Sequence, residues 1–161
     1  MLYSPRQRSG AVAVEAAIVY ATMFLLLLAL IVGGLGVFRY QLVGAMSREA
    51  ARAASVKGSN YAATTGQASP AQQDIFTTVV QPLAATMDAS QLSLTLEFID
   101  GTTGQATPWD KSSKSPTTID SSTGAPVSNR VRATITYQWS PEFFGSQPLT
   151  MRSVCECPIS F

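Results

Sequence analysis

Two kinds of residue in this chain could do chemistry, and they lie near its opposite ends. Glu15 is a carboxylate in apolar company: Ala11-Val12-Ala13-Val14 precede it, and residues 16–38, 23 in a row without a charge, follow it. A carboxylate at the centre of a membrane helix costs about 2.5–3.5 kcal/mol, less towards an edge. Glu15 therefore needs a cationic partner or a place among lipid headgroups. Cys155 and Cys157 are the only cysteines. In the alternating segment 149–157 they share one face of a strand. An i,i+2 disulfide strains a regular strand, which leaves free thiols, an unusual local bridge or links to another chain. Two thiolates without histidine leave a zinc site incomplete, so no metal is expected.

Much other chemistry is excluded by composition. The chain has no histidine, which removes Ser-His-Asp and Cys-His nucleophile systems and His general bases. Only 13% of its residues are charged and the net charge is +1, without the basic stripe of a nucleic-acid binder. No phosphate-binding glycine loop, nucleophile elbow or close pair of carboxylates occurs. The expectation is a protein that is not an enzyme and needs no cofactor.

The element that positions Glu15 is a membrane helix. At about 1.5 Å per residue, residues 16–38 span roughly 34 Å, enough for a bilayer's hydrocarbon core. The centre, Met23-Phe24-Leu25-Leu26-Leu27-Leu28-Ala29-Leu30-Ile31-Val32, is apolar all round, unlike a soluble helix with one polar face. It is also too long for the apolar region of a cleaved secretory signal. Arg6 and Arg8 precede the span, and Arg39, Arg48, Arg52 and Lys57 follow it. This asymmetry sets no orientation, because long C-terminal domains translocate largely regardless of charge.

Gly10 gives Glu15 a sharper reading. If the chain were cut after Gly10, Ala11 would carry a free ammonium and Glu15 would be the fifth residue of the new chain. A carboxylate near the positive end of a helix dipole could pair with its own or a neighbour's ammonium and so fix the axial offset of helices packed side by side.

A short basic leader, a glycine, four small apolar residues, a glutamate and a long apolar helix resemble the class III signal of type IV pilins. More closely, Arg8-Ser9-Gly10-Ala11-Val12-Ala13-Val14-Glu15 with the later Arg48-Glu49-Ala50-Ala51-Arg52-Ala53-Ala54 is similar to the TadE family. These are pseudopilins of the tight-adherence (Tad/Flp) pilus system, and the resemblance covers about the first 55 residues. It implies cleavage between Gly10 and Ala11 by a prepilin peptidase, and a role in assembly for Glu15. It further implies partners among other pilin or pseudopilin subunits and the pilus assembly platform. The place implied is the bacterial inner membrane, crossed once, with the C-terminal domain periplasmic or extracellular. The chain departs from relatives at two points: Ala16 stands where the major pilins carry tyrosine, and the span lacks a mid-helix proline. The function expected is a minor pseudopilin that initiates or caps a pilus. The alternative is an uncleaved single-pass anchor carrying an adhesive or interaction domain.

The expected fold is α+β, a long N-terminal helix packed on a small antiparallel sheet. Residues 1–10 form the leader, 11–38 the membrane helix, 39–58 an amphipathic extension and 59–161 the exported domain. The extension should bury Leu35, Phe38, Leu42, Met46, Ala50 and Ala53, with Gln41, Arg48, Glu49, Arg52 and Ser55 opposite. A second helix should start at Ser69-Pro70-Ala71-Gln72, bury Ile75, Phe76, Val79, Val80 and Leu83, and break or kink by about residue 81, ahead of Pro82. Alternation predicts strands over 92–98, 131–139 and 149–157. Residues 101–129, rich in Ser, Thr, Gly and Pro, read as a flexible loop in which Trp109 hints at a contact surface, and no internal repeat is expected.

Overall fold

A computed structural model describes residues 9–110, 114–141 and 147–160. The chain divides between Val37 and Phe38 into two units, and one helix, α1 (Ser9–Ser55), runs through the division. The first unit is helical from Ser9 onward. Its large apolar side chains, Ile18, Phe24, Leu25, Leu26, Leu27 and Leu30 among them, are exposed on every side. A helix of this length and composition is a candidate membrane span.

The second unit is the α+β body. Its main sheet has the order β2-β1-β5-β6, antiparallel throughout: β2 (Ala106–Pro108), β1 (Leu92–Ile99), β5 (Arg130–Trp139) and β6 (Leu149–Pro158). Strand β5 follows its sequence pattern closely, burying Val131, Ala133, Ile135, Tyr137 and Trp139. Their partners on the same face are Leu92, Leu94 and Leu96 of β1 and Met151, Ser153, Cys155 and Cys157 of β6. In β1 the alternation ends at Leu96. Phe98 is half-buried with the Lys114 ammonium 5.0 Å from its ring centre, and Ile99 on the opposite face is buried too.

The C-terminal part of α1 covers that apolar face, and three contacts fix its place. Arg39 lies over the Trp139 ring at 5.1 Å, the Ser47 and Ser153 hydroxyls are 2.9 Å apart, and the Ser160 N–H donates to the Ser55 carbonyl at 3.1 Å. The buried residues of α1 are Val43, Met46, Ser47, Ala50, Ala51, Ala54 and Ser55. This corrects the expected stripe. Only Met46 and Ala50 are common to both sets; Leu35 and Phe38 are about half exposed, at 48% and 49%, and Ser55 is buried. An alanine-rich helix offers several stripes of similar apolarity, so burial is decided by the partner. Here small side chains make up most of the buried face, and the Ser47 hydroxyl is satisfied inside the contact by Ser153 and by the Gly44 carbonyl at 3.0 Å.

Helix α1 ends ahead of Gly58, from which a short helix, α2 (Ser59–Thr65), starts. The next helix begins two residues later than expected: α3 (Gln72–Ile75) starts after Ala71, whose N–H donates to the Asp74 carboxylate at 2.9 Å. It continues through a π-helical turn, Phe76–Val80, into α4 (Gln81–Leu83), so the irregularity falls just ahead of Pro82, where a break or kink is expected, and the helix ends at Leu83. The Thr77 and Thr78 hydroxyls donate to the carbonyls of Gln73 and Asp74, competing with the α-helical bonds, and Pro82 brings no N–H at all. The π turn takes up one extra residue. Burial therefore falls on Ile75, Val80 and Ala84, spaced five and four, while Leu83 is exposed.

The segment 101–129 is not the structureless connection expected from its composition. A tight turn joins β1 to β2, and a second joins β3 (Thr117–Ile119) to β4 (Pro126–Ser128), a separate two-stranded sheet. Trp109 is core rather than contact surface: it is 6% exposed and its indole N–H donates to the Pro70 carbonyl at 2.9 Å.

Candidate functional site

Gly10, Ala11 and Glu15 lie within the first two turns of α1, and all three are exposed. Ala11 and Glu15 are four residues apart, so they stack on one face one turn from each other. An ammonium created at Ala11 would thus be within reach of Glu15 on the same helix or on a helix in register beside it. Among the described residues no packed atom lies within 4 Å of where a Gly10 side chain would start, so their packing does not itself require glycine there. Arg6 and Arg8 of the expected leader lie outside the described residues.

The two cysteines belong to the second unit and Glu15 to the first. Both thiols are free and half-buried on the face of β6 that meets α1. They stand between Ser153 and Ser160, the stretch of β6 opposite the α1 segment that carries Ala50, Ala51 and Ala54. Burial, followed by the nearby Cys155, raises the Cys157 thiol above its ordinary value. A thiol held in that direction is a poor nucleophile.

On the opposite face a row of charges crosses three strands. Glu97, Arg132 and Glu156 are register partners, and Arg132 bonds Glu156 at 2.7 Å through Nε and Glu97 at 3.4 Å through Nη1. The hydrogen bond to Glu156 is the main reason the Arg132 guanidinium binds its proton more tightly than usual. Each such half-exposed cross-strand pair contributes about 0.2–1 kcal/mol. The row ties the sheet together, with the Arg132 guanidinium committed to both carboxylates.

The two tight turns share one build. Ile99-Asp100-Gly101-Thr102-Thr103-Gly104 and Ile119-Asp120-Ser121-Ser122-Thr123-Gly124 stand twenty residues apart, a repeat the sequence reading missed. In each, one aspartate oxygen accepts from the N–H and hydroxyl two residues on, and the glycine adopts φ +70°. The Thr102 hydroxyl, then the N–H groups of Thr103 and Thr102, hold the Asp100 carboxyl down to about 2. The Ser122 N–H and hydroxyl lower Asp120. Asn129, fully buried, joins the two hairpins. Its side-chain oxygen accepts from Gly101 N–H at 2.8 Å and Thr118 Oγ1 at 3.0 Å, and its amide donates to the Ser115 carbonyl at 3.0 Å. These are scaffold bonds, each donor and acceptor spent within the fold.

These features define a class: a chain with one candidate membrane-spanning helix that continues into an α+β domain, with its unusual chemistry at the helix start. The comparisons bear on the same segment. A family model described as TadE-like protein matches residues 10–52, and that segment is TadE-like, in agreement with the resemblance carried by Gly10, Glu15 and Arg48 to Arg52. The match begins at Gly10 and ends within the part of α1 that lies on the sheet. No curated protein and no solved structure matches the chain.

Proposed function

We propose that this protein is a minor pseudopilin of a Tad-type pilus, acting as a structural subunit through its N-terminal helix. The observation that carries this reading is the TadE-like match over residues 10–52, which supports a Tad pilus-associated role. In this reading a prepilin peptidase removes residues 1–10, and Ala11 becomes the mature terminus. Glu15 then pairs with an ammonium of its own or a neighbouring chain. The apolar helix holds the subunit in the inner membrane until it is extracted by packing against other pilin helices, with the α+β domain on the outer side. No bond is made or broken by the subunit itself.

The experiment is the intact mass of the protein from cells carrying the complete pilus system. The expected mass is that of a chain starting at Ala11, and Gly10→Phe should leave the precursor uncut. A side chain at Gly10 meets no packed atom of the described residues, so a block reports on the peptidase's pocket. A chain that keeps Met1 in such cells would overturn the reading in favour of an uncleaved anchor.

A further inference from the structure

One cavity of the second unit has a charge pattern that the assembly function does not use. It measures about 410 Å³ and is lined by Arg39, Asp88, Gln91, Gln138, Trp139 and Ser140, with Tyr137 and Pro148 completing the wall. Arg39 is the first charged residue after the uncharged run 16–38. Its guanidinium lies over the Trp139 ring and makes no ion pair among the described residues. Asp88 uses one carboxylate oxygen, Oδ1, to accept from the Ser90 N–H and hydroxyl, at 2.9 and 2.7 Å. Its Oδ2 has no hydrogen-bond partner among the described residues. Tyr40, next to Arg39 on α1, is 57% exposed, and Phe38 is 49% exposed. A Tyr and an Arg at the end of an apolar span have the composition of a membrane interface, and the largely buried Trp139 ring backs the guanidinium.

We infer that this cavity takes the headgroup of a zwitterionic aminophospholipid from the membrane in which α1 is anchored, phosphate on Arg39 and primary ammonium on Asp88. The chemistry selects that occupant. A single cation would suit any phosphodiester, but the carboxylate in the same cavity repels a purely anionic headgroup and attracts an ammonium. A primary ammonium offers N–H donors to the open Oδ2, whereas a quaternary one offers none. The Gln91 and Gln138 amides can bond the remaining phosphate oxygens. At about 410 Å³ the cavity leaves room for water between the charges. The inference rests on reading residues 16–38 as a membrane span.

The test uses the full chain in a non-ionic, phosphate-free detergent, with Trp109→Phe so that Trp139 is the only remaining tryptophan. Its emission is titrated with dihexanoyl-phosphatidylethanolamine, -phosphatidylglycerol and -phosphatidylcholine in turn. The ethanolamine lipid should change the emission at the lowest concentration. Arg39→Gln should weaken the response to every lipid. Asp88→Asn should raise the half-saturating concentration for the ethanolamine lipid by about tenfold, as expected for losing one charged hydrogen bond, and so erase its advantage over the choline lipid. Arg39→Lys keeps the charge and should restore most of the response. Equal titrations for the three lipids, or an Asp88→Asn variant as selective as the parent, would overturn the inference. Alkaline carbonate extraction of the same variants reports on the span independently. A chain that stays in the membrane without lipid selectivity defeats this inference alone, and one that is extracted defeats the membrane reading itself.

Discussion

Gly101 and Ser121 occupy the same place in two turns of the same build, and only the second has room for a side chain. A methyl group on Gly101 would run into the Ser128 carbonyl, because the β3–β4 hairpin lies directly against the first turn there. We expect Gly101→Ala to destabilise the domain by about 1–3 kcal/mol, a typical overpacking cost, and Ser121→Ala to stay within about 0.5 kcal/mol. Denaturant unfolding of both variants, followed by Trp fluorescence, checks this; equal stabilities would mean that the hairpins do not pack as described. The pairing of the turns was legible in the sequence as two Ile-Asp-x-x-Thr-Gly strings, but composition masked it, since the surrounding Ser, Thr and Pro read as a loop. Trp109 and Ser47 were less legible. A tryptophan in a polar stretch and a serine on a helix carry no mark of burial until Pro70 and Ser153 are placed beside them.

The hairpins should also be the elements most sensitive to acid. Asp100 has a pKa of about 2 in the fold against an ordinary 3.8, so its charged form is the one the fold favours. The stability it contributes is present above pH 4 and is lost as pH falls from about 4 towards 2. Asp120 shifts in the same direction and adds its loss below its ordinary value. Amide hydrogen exchange at Thr102 and Ser122 should therefore accelerate over that window before exchange in β5 does. Simultaneous loss of protection in β5 would show that the turns have no separate acid response. Among the elements, the long strands were the readable ones, because period-two alternation in β5 and β6 survives any choice of partner, whereas the three-residue strands β2, β3 and β4 are too short to show it. The phase of α1 was not readable. Several alanine stripes compete there, and one residue's rotation turns the helix by about 100°. Nor was the π turn: its extra residue comes from two threonine hydroxyls and a proline acting together.

For the whole molecule, the TadE-like segment ends at residue 52, so the match covers the candidate membrane span and most of the rest of α1 and leaves the sheet unassigned. Assembly should accordingly depend on the helix start. Glu15→Gln keeps the shape and removes the charge. It should enter the membrane at least as readily as the parent, because a neutral amide costs less in lipid, yet should fail to enter the pilus. Membrane fractionation beside a count of pili on cells checks both halves, and unchanged piliation would reduce Glu15 to an interfacial residue. Within the second unit, α1 runs alongside β6 and is held at Arg39, Ser47 and Ser55 in succession. Under tension along the helix axis these contacts are loaded together in shear, instead of being peeled one after another. A slip of one helical turn, about 5.4 Å, would carry Ser47 out of reach of Ser153 and Arg39 off the Trp139 ring in the same movement. The domain and its helix would then yield only as a single mechanical unit.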